Sequence, residues 1–93
     1  MPSYRTIMTV TTLAPGHTPE EVEAAARSVT RLESWDIAIA SGQPRVTARF
    51  TAIDDAEARV THRQILTSVR EIADVPRARL AAVVRGRSHY LAP

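Results

Sequence analysis

Between Arg45 and Ile53 apolar and polar residues alternate strictly, with Val46, Ala48, Phe50 and Ala52 on one side and Arg45, Thr47, Arg49 and Thr51 on the other. A period of two describes a strand with one buried face and one polar face. The same pattern predicts three further strands. Residues 4–12, rich in Thr and β-branched side chains, turn Met8 and Val10 inward and Ile7, Thr9 and Thr11 outward. Residues 35–40 set Trp35, Ile37 and Ile39 against Asp36, Ala38 and Ala40, and residues 79–85 turn Leu80, Ala82 and Val84 inward. Residues 88–93 are read as a tail with room for a short edge segment.

Two stretches change to a helical period. Thr18-Pro19-Glu20-Glu21 is a helix start: Thr18 is placed to cap, Pro19 needs no amide partner in the first turn, and Glu21 completes a capping box. Val22, Ala25, Ala26, Val29 and Leu32 continue that helix at core spacing to Glu33 or Ser34. Asp54 and Glu57 repeat the capping logic for a second helix running to about Ala73, with Ala58, His62, Ile65, Leu66, Val69, Ile72 and Ala73 as its stripe. Pro76 follows as a stop.

Ser41-Gly42-Gln43-Pro44 is a turn cluster between the second and third strands. A loop centred on Gly42 and Gln43 sets Trp35 opposite Phe50, Ile37 opposite Ala48, Ile39 opposite Val46 and Asp36 opposite Arg49. Because Pro44 lacks an amide donor, a four-residue loop is expected rather than a tight turn.

The order β-α-β-β-α-β resembles the ferredoxin-like superfold over nearly the whole chain, which reads as a single domain over residues 1–93. That resemblance implies a four-stranded antiparallel sheet, the first and third strands central, with both helices on the Trp35/Phe50 side. Its other side is left uncovered, presenting Ile7, Thr9, Thr11, Ala38, Ala40, Thr47, Arg49, Thr51, Ala81 and Val83. So small and weakly polar a face suits packing against a second sheet.

Composition narrows the chemistry. The 93 residues are 44% hydrophobic and 24% charged, as in an ordinary globular protein, with a net charge of +2. There is no Cys, Lys or Asn, so thiolate catalysis, thiolate metal sites, disulfides, Schiff bases and a P-loop lysine are all excluded. Charge is uneven: residues 1–44 hold three Arg against five acids, and residues 45–93 hold nine Arg against five. After Asp74 come only Arg77, Arg79, Arg85 and Arg87, an electrostatic footprint open to a polyanion. No apolar run approaches the roughly 18 residues of a membrane span, and the first dozen residues carry too many Thr for a signal core, so a cytoplasmic protein is expected.

The candidate chemistry is sparse. The loop Ala14-Pro15-Gly16-His17 joins the first strand to the first helix, and in this it is similar to regulatory ACT-type modules, where such a loop lines an amino-acid site at a subunit interface. RNA-recognition domains stack bases on aromatics of strands one and three, whereas Thr9, Thr47, Arg49 and Thr51 stand on that face here. An acylphosphatase-like phosphate cradle in the first loop conflicts with Glu20 and Glu21. His17, His62 and His89 are too dispersed for metal ligation; His62 has no His or carboxylate at i+3 or i+4 and reads as a packing residue, His89 beside Ser88 lacks an orienting third group, and His17 is a loop residue near the capped helix end.

The expectation is a non-catalytic homo-oligomeric module without cofactor or metal, associating through the sheet face or an edge strand. A small metabolite or a partner protein would be held at the sheet face, with Arg49, Thr9, Thr51 and His17 as the ligand-binding candidates. The alternative is a small dimeric α+β barrel enzyme with its pocket on that face, and the third reading is nucleic-acid binding through the segment from Arg77 to Arg87, which its lack of interleaved aromatics argues against.

Overall fold

The computed structural model describes residues 1–92. Its elements are β1 (Ser3–Thr9), β2 (Thr12–Leu13), α1 (Pro19–Arg27), β3 (Ser34–Ala40), β4 (Gln43–Thr51), α2 (Asp55–Arg70), β5 (Ala73–Asp74), β6 (Arg77–Val84) and β7 (Arg87–Tyr90). The architecture is α+β. Five strands form one antiparallel sheet in the order β3-β4-β1-β6-β7, and β2 pairs with β5 in a separate two-stranded ribbon. The expected count of four strands is therefore corrected to five plus the ribbon. The ribbon forms because the first strand breaks after Thr9: the Thr11 amide donates to the Asp74 carbonyl at 3.0 Å and its hydroxyl to the Asp74 carboxylate at 2.7 Å.

The core lies between one face of the sheet and the two helices. Met8, Ala48, Phe50, Ala52, Ala26, Ala58, Ile65 and Val69 are fully buried, and Tyr4, Val10, Val46 and Leu80 nearly so. The alternation in β1 and β4 thus holds as read. Tyr4 stacks on Phe50 with ring centroids 6.0 Å apart, and its hydroxyl donates to Asp55 Oδ1 at 2.8 Å, tying β1 to the first turn of α2. Burial and the Asp55 carboxylate push the Tyr4 hydroxyl up to about 12.

The two helix starts differ. Asp54 accepts from the Glu57 amide at 2.8 Å, and Glu57 returns an acceptor to the Ile53 amide at 3.1 Å. Thr18 makes no side-chain cap bond, and Glu21 turns to His17 instead. Both helices are also shorter than their apolar stripes suggest. α1 stops at Arg27, where Ser28 returns its hydroxyl to the Ala25 carbonyl at 2.6 Å and the run Ser28-Val29-Thr30 has little helix propensity. Leu32 still reaches the core, but as part of the connection to β3. α2 stops at Arg70, three residues short of Ala73, which joins β5.

Sheet register differs from expectation by two residues in one hairpin. β3 meets β4 with Trp35 opposite Ala48, Ile37 opposite Val46, Ile39 opposite Pro44 and Asp36 opposite Thr47. Ser41 and Gly42 form a two-residue turn with φ of 53° and 76°, the all-positive pattern that matches strand twist. Gln43 closes this turn against Ala40, so Pro44 falls where β3 requires no donor, and its carbonyl accepts from Val10 at 3.1 Å on the other side. The proline therefore does not require a wider loop. Arg85 and Gly86 make the same kind of turn between β6 and β7.

With α1 ending early, the helical layer does not extend over β3. Ile37 and Ile39 are 55% and 71% exposed although they lie on the helix side of the sheet. A groove of about 350 Å³ beside them is lined by Val10, Leu13, Pro19, Val22, Trp35 and Pro44, among others. Among the described residues no helix is long and apolar enough to cross a membrane.

Candidate functional site

The uncovered face of the sheet is built in cross-strand rows. Arg45, Thr9 and Arg77 form one row, Asp36, Thr47, Ile7 and Arg79 the next, and Ser34, Arg49, Arg5, Ala81 and Tyr90 the third. Five arginines therefore share this face; Asp36 is the one acid within its strands, and Glu33, just before β3, brings a second carboxylate to its edge beside Ser3 and Arg49. The expected small, weakly polar surface is corrected: Arg5, Arg45, Arg77 and Arg79 point the same way as Arg49.

The five are not equivalent. Arg5 donates to Ser88 Oγ at 2.8 Å and leans toward the Gly86 carbonyl, so it braces the β6–β7 turn. Arg49 does not meet Asp36, because register places Ser34 opposite it. Its Nε lies 3.9 Å from Glu33 Oε1, too far for a hydrogen bond, and is buried without an acceptor. Glu33 instead accepts from Ser3 Oγ at 2.7 Å. Arg79 lies over the Tyr90 ring, its guanidinium carbon 3.6 Å from the centroid, which fixes the long side chain against β7.

Arg45, Arg77 and Arg79 converge on a concavity of about 250 Å³ at one end of the face, completed by Ile7, Thr9, Ser41, Gln43 and Tyr90. Among the described residues no carboxylate lines it. Arginine offers five donors in a planar fork suited to carboxylate or phosphate oxygens, and Thr9, Ser41 and Gln43 add uncharged donors. The arrangement can bind and orient an anion. It offers no nucleophile paired with a base.

Arg79 and Tyr90 also wall a second, larger concavity of about 690 Å³ between α2 and the edge of β6 that β7 leaves free. Arg59, His62, Arg63, Leu66, Leu80 and Leu91 complete it. Thr6, buried in the core, shares a hydrogen bond of 3.0 Å with His62 Nδ1. Burial, followed by the charges of Arg70 and Arg63, holds the His62 imidazole below its ordinary range. His62 is therefore a partly buried residue with a core partner, as its place in the helical stripe suggests.

Of the four residues read from sequence as ligand candidates, the structure brings only Thr9 to the arginine-lined concavity. Arg49 stands four residues further along β4, and Thr51 pairs with Ser3 toward the opposite end of the sheet, about 20 Å from Arg45 at strand spacing. His17 lies in the first loop and is paired with Glu21. Arg45 and Tyr90 are not among those candidates, and Arg77 and Arg79 enter the sequence reading only within the segment open to a polyanion. Parity carries a signal for three of them: Arg45 shares the polar side of its strand with Thr47 and Arg49, and once Leu80 points inward, Arg77 and Arg79 must share the face of Thr9.

Among the described residues no group of three or more His, Asp or Glu stands together as a metal-ligand set. No protein-family model, curated protein or solved structure matches the chain.

Proposed function

We propose that this chain is a ferredoxin-like, non-catalytic binding module that holds a small anionic metabolite at the arginine-lined end of its open sheet face. Support for the superfold is the strand order β3-β4-β1-β6 with both helices on one side, to which β7 and the β2/β5 ribbon are additions. The observation that carries the ligand reading is the convergence of Arg45, Arg77 and Arg79 on one concavity that no carboxylate among the described residues lines. Three uncompensated guanidinium groups repel one another, and an anion relieves that repulsion while gaining charge-assisted hydrogen bonds. About 250 Å³ suits one phosphate or carboxylate group with a small body attached.

Melting temperature measured against citrate, inorganic phosphate and sugar phosphates tests this reading. A saturable rise is expected, at least halved in Arg77→Ser and Arg79→Ser. The reading fails if no anion of these classes gives a saturable rise, or if both variants respond as the parent does.

A nucleic-acid ligand is the second reading, favoured by the spread of positive charge from Arg77 to Arg49 and by the half-exposed Tyr90 ring beside it. It shifts the contact from a linear segment to the sheet face, since Arg85 lies in a turn and Arg87 pairs with Val84. Steeply salt-dependent binding to single-stranded oligonucleotides, with weak response to the small anions, would favour it. The dimeric barrel enzyme finds less support, because a two-fold stack of such faces would set arginine against arginine. Association by an edge of the sheet meets no such objection.

A further inference from the structure

β3 is an edge strand of seven residues with neither proline nor lysine, and of its apolar row Trp35 is partly buried against the core while Ile37 and Ile39 are exposed. Native edges of this length are usually blunted by charge, proline, a bulge or a covering element. The Arg49 carbonyl accepts from Glu33 and the Pro44 carbonyl from Val10, so odd residues of β4 turn their backbone groups to β3 and even ones to β1. By the same alternation Ala40, Ala38 and Asp36 face β4, and Trp35, Ile37 and Ile39 aim their amides and carbonyls outward.

We propose that β3 pairs antiparallel with β3 of a second copy about a two-fold axis at Ile37, joining the two sheets into one. This inference stands apart from the ligand reading. Pairing about Ile37 uses the outward backbone groups of all three odd residues. It sets Trp35 opposite the second copy's Ile39, and Ile37 opposite its own counterpart, on the helix side. The exposed row then becomes continuous and covered across the junction, with Ile39 of each copy beside the groove of the other.

Charge points to the same register. Ala38 lies opposite Arg45 within the chain, and the two-fold sets Asp36 of the second copy opposite Ala38 on its free side. The row therefore reads Arg45, Ala38, Asp36 across three strands, about 10 Å from the first backbone to the third. An arginine reaching over alanine spans that gap. Neither Asp36 nor Arg45 has an ion-pair partner within the chain among the described residues. The contact occurs twice by symmetry, and with five donors Arg45 can serve a ligand at the concavity rim as well. Pairing about Asp36 would instead oppose two carboxylates.

Sedimentation equilibrium of the ligand-free protein tests the inference, with a reversible dimer expected at ~10 µM, the affinity range of modest interfaces. Ile37→Lys should be monomeric with an unchanged far-ultraviolet circular dichroism spectrum, because Ile37 is already 55% exposed. Asp36→Arg and Arg45→Asp should each weaken the dimer by about threefold or more, and the double variant should recover most of the loss. A wild-type protein still monomeric at ~0.1 mM overturns the inference. So does an Ile37→Lys protein that remains dimeric, or a double variant no tighter than the single ones.

Discussion

Arg79 is held diagonally across two strands by Tyr90, its guanidinium carbon 3.6 Å from the ring centroid, although Tyr90 is paired in register with Ala81. The contact places a charge between two concavities and keeps it from swinging free. Tyr90→Phe should leave stability and anion response near those of the parent, since the ring face survives. Tyr90→Ala should lower stability by about 0.5–1 kcal/mol in urea titration and weaken the anion response, because Arg79 regains its freedom.

The helix starts give a paired prediction. Asp54→Ala removes the acceptor for the Glu57 amide and should cost about 1 kcal/mol. Thr18→Ala, at the other start, should cost only a few tenths of that, because Thr18 makes no side-chain cap bond. Urea midpoints of the two variants against the parent provide the comparison.

His62 makes stability depend on pH in a defined direction. The unfolded imidazole protonates near 6.5, while burial and the nearby Arg70 and Arg63 hold the folded one lower. Above 6.5 neither state carries the proton and the group adds no slope. As pH falls below 6.5 the unfolded chain gains a proton that the folded chain refuses, so stability drops until the folded pKa is reached. Subtracting urea stabilities of His62→Gln from those of the parent between about pH 5 and 7.5 should isolate this slope, flat at the upper end and falling toward the lower.

The turn between β3 and β4 should accept one change and reject another. Ser41 at φ 53° is a position where asparagine is favoured, so Ser41→Asn should stabilise by a few tenths to about 1 kcal/mol. Gly42→Ala puts a Cβ at φ 76° with nothing nearby to clash, so its cost of about 1 kcal/mol comes from the backbone alone. Thermal unfolding of both variants, measured below the concentration at which the protein associates, checks the pair.

Much of the layering was legible because it rests on period. Met8, Phe50, Ala58, Ile65, Val69 and Leu80 all point inward as their spacing requires. The errors arise where period carries no information. A slip of two preserves every face, so parity could not choose between Asp36 meeting Arg49 and Asp36 meeting Thr47; the choice lay in the positive φ of Ser41 and Gly42. The stripe through Leu32 looked helical because a core residue in a connection can fall in phase with the helix before it. The basic concavity was harder still, since Arg45, Arg77 and Tyr90 belong to three strands and meet only through tertiary pairing.

The position of β1 has a consequence for how the chain reaches its fold. Both of its neighbours, β4 and β6, lie far along the sequence, whereas β3 with β4 and β6 with β7 are hairpins closed by two-residue turns. The hairpins need only local search, and the central strand must wait for distant partners. During synthesis β1 emerges before both of its partners and is thus among the last strands to be seated. Until β6 has been made, the segment around Thr6 and Met8 lacks its second neighbour, which leaves the nascent chain open to misassociation at the strand that ends up at the centre of the sheet.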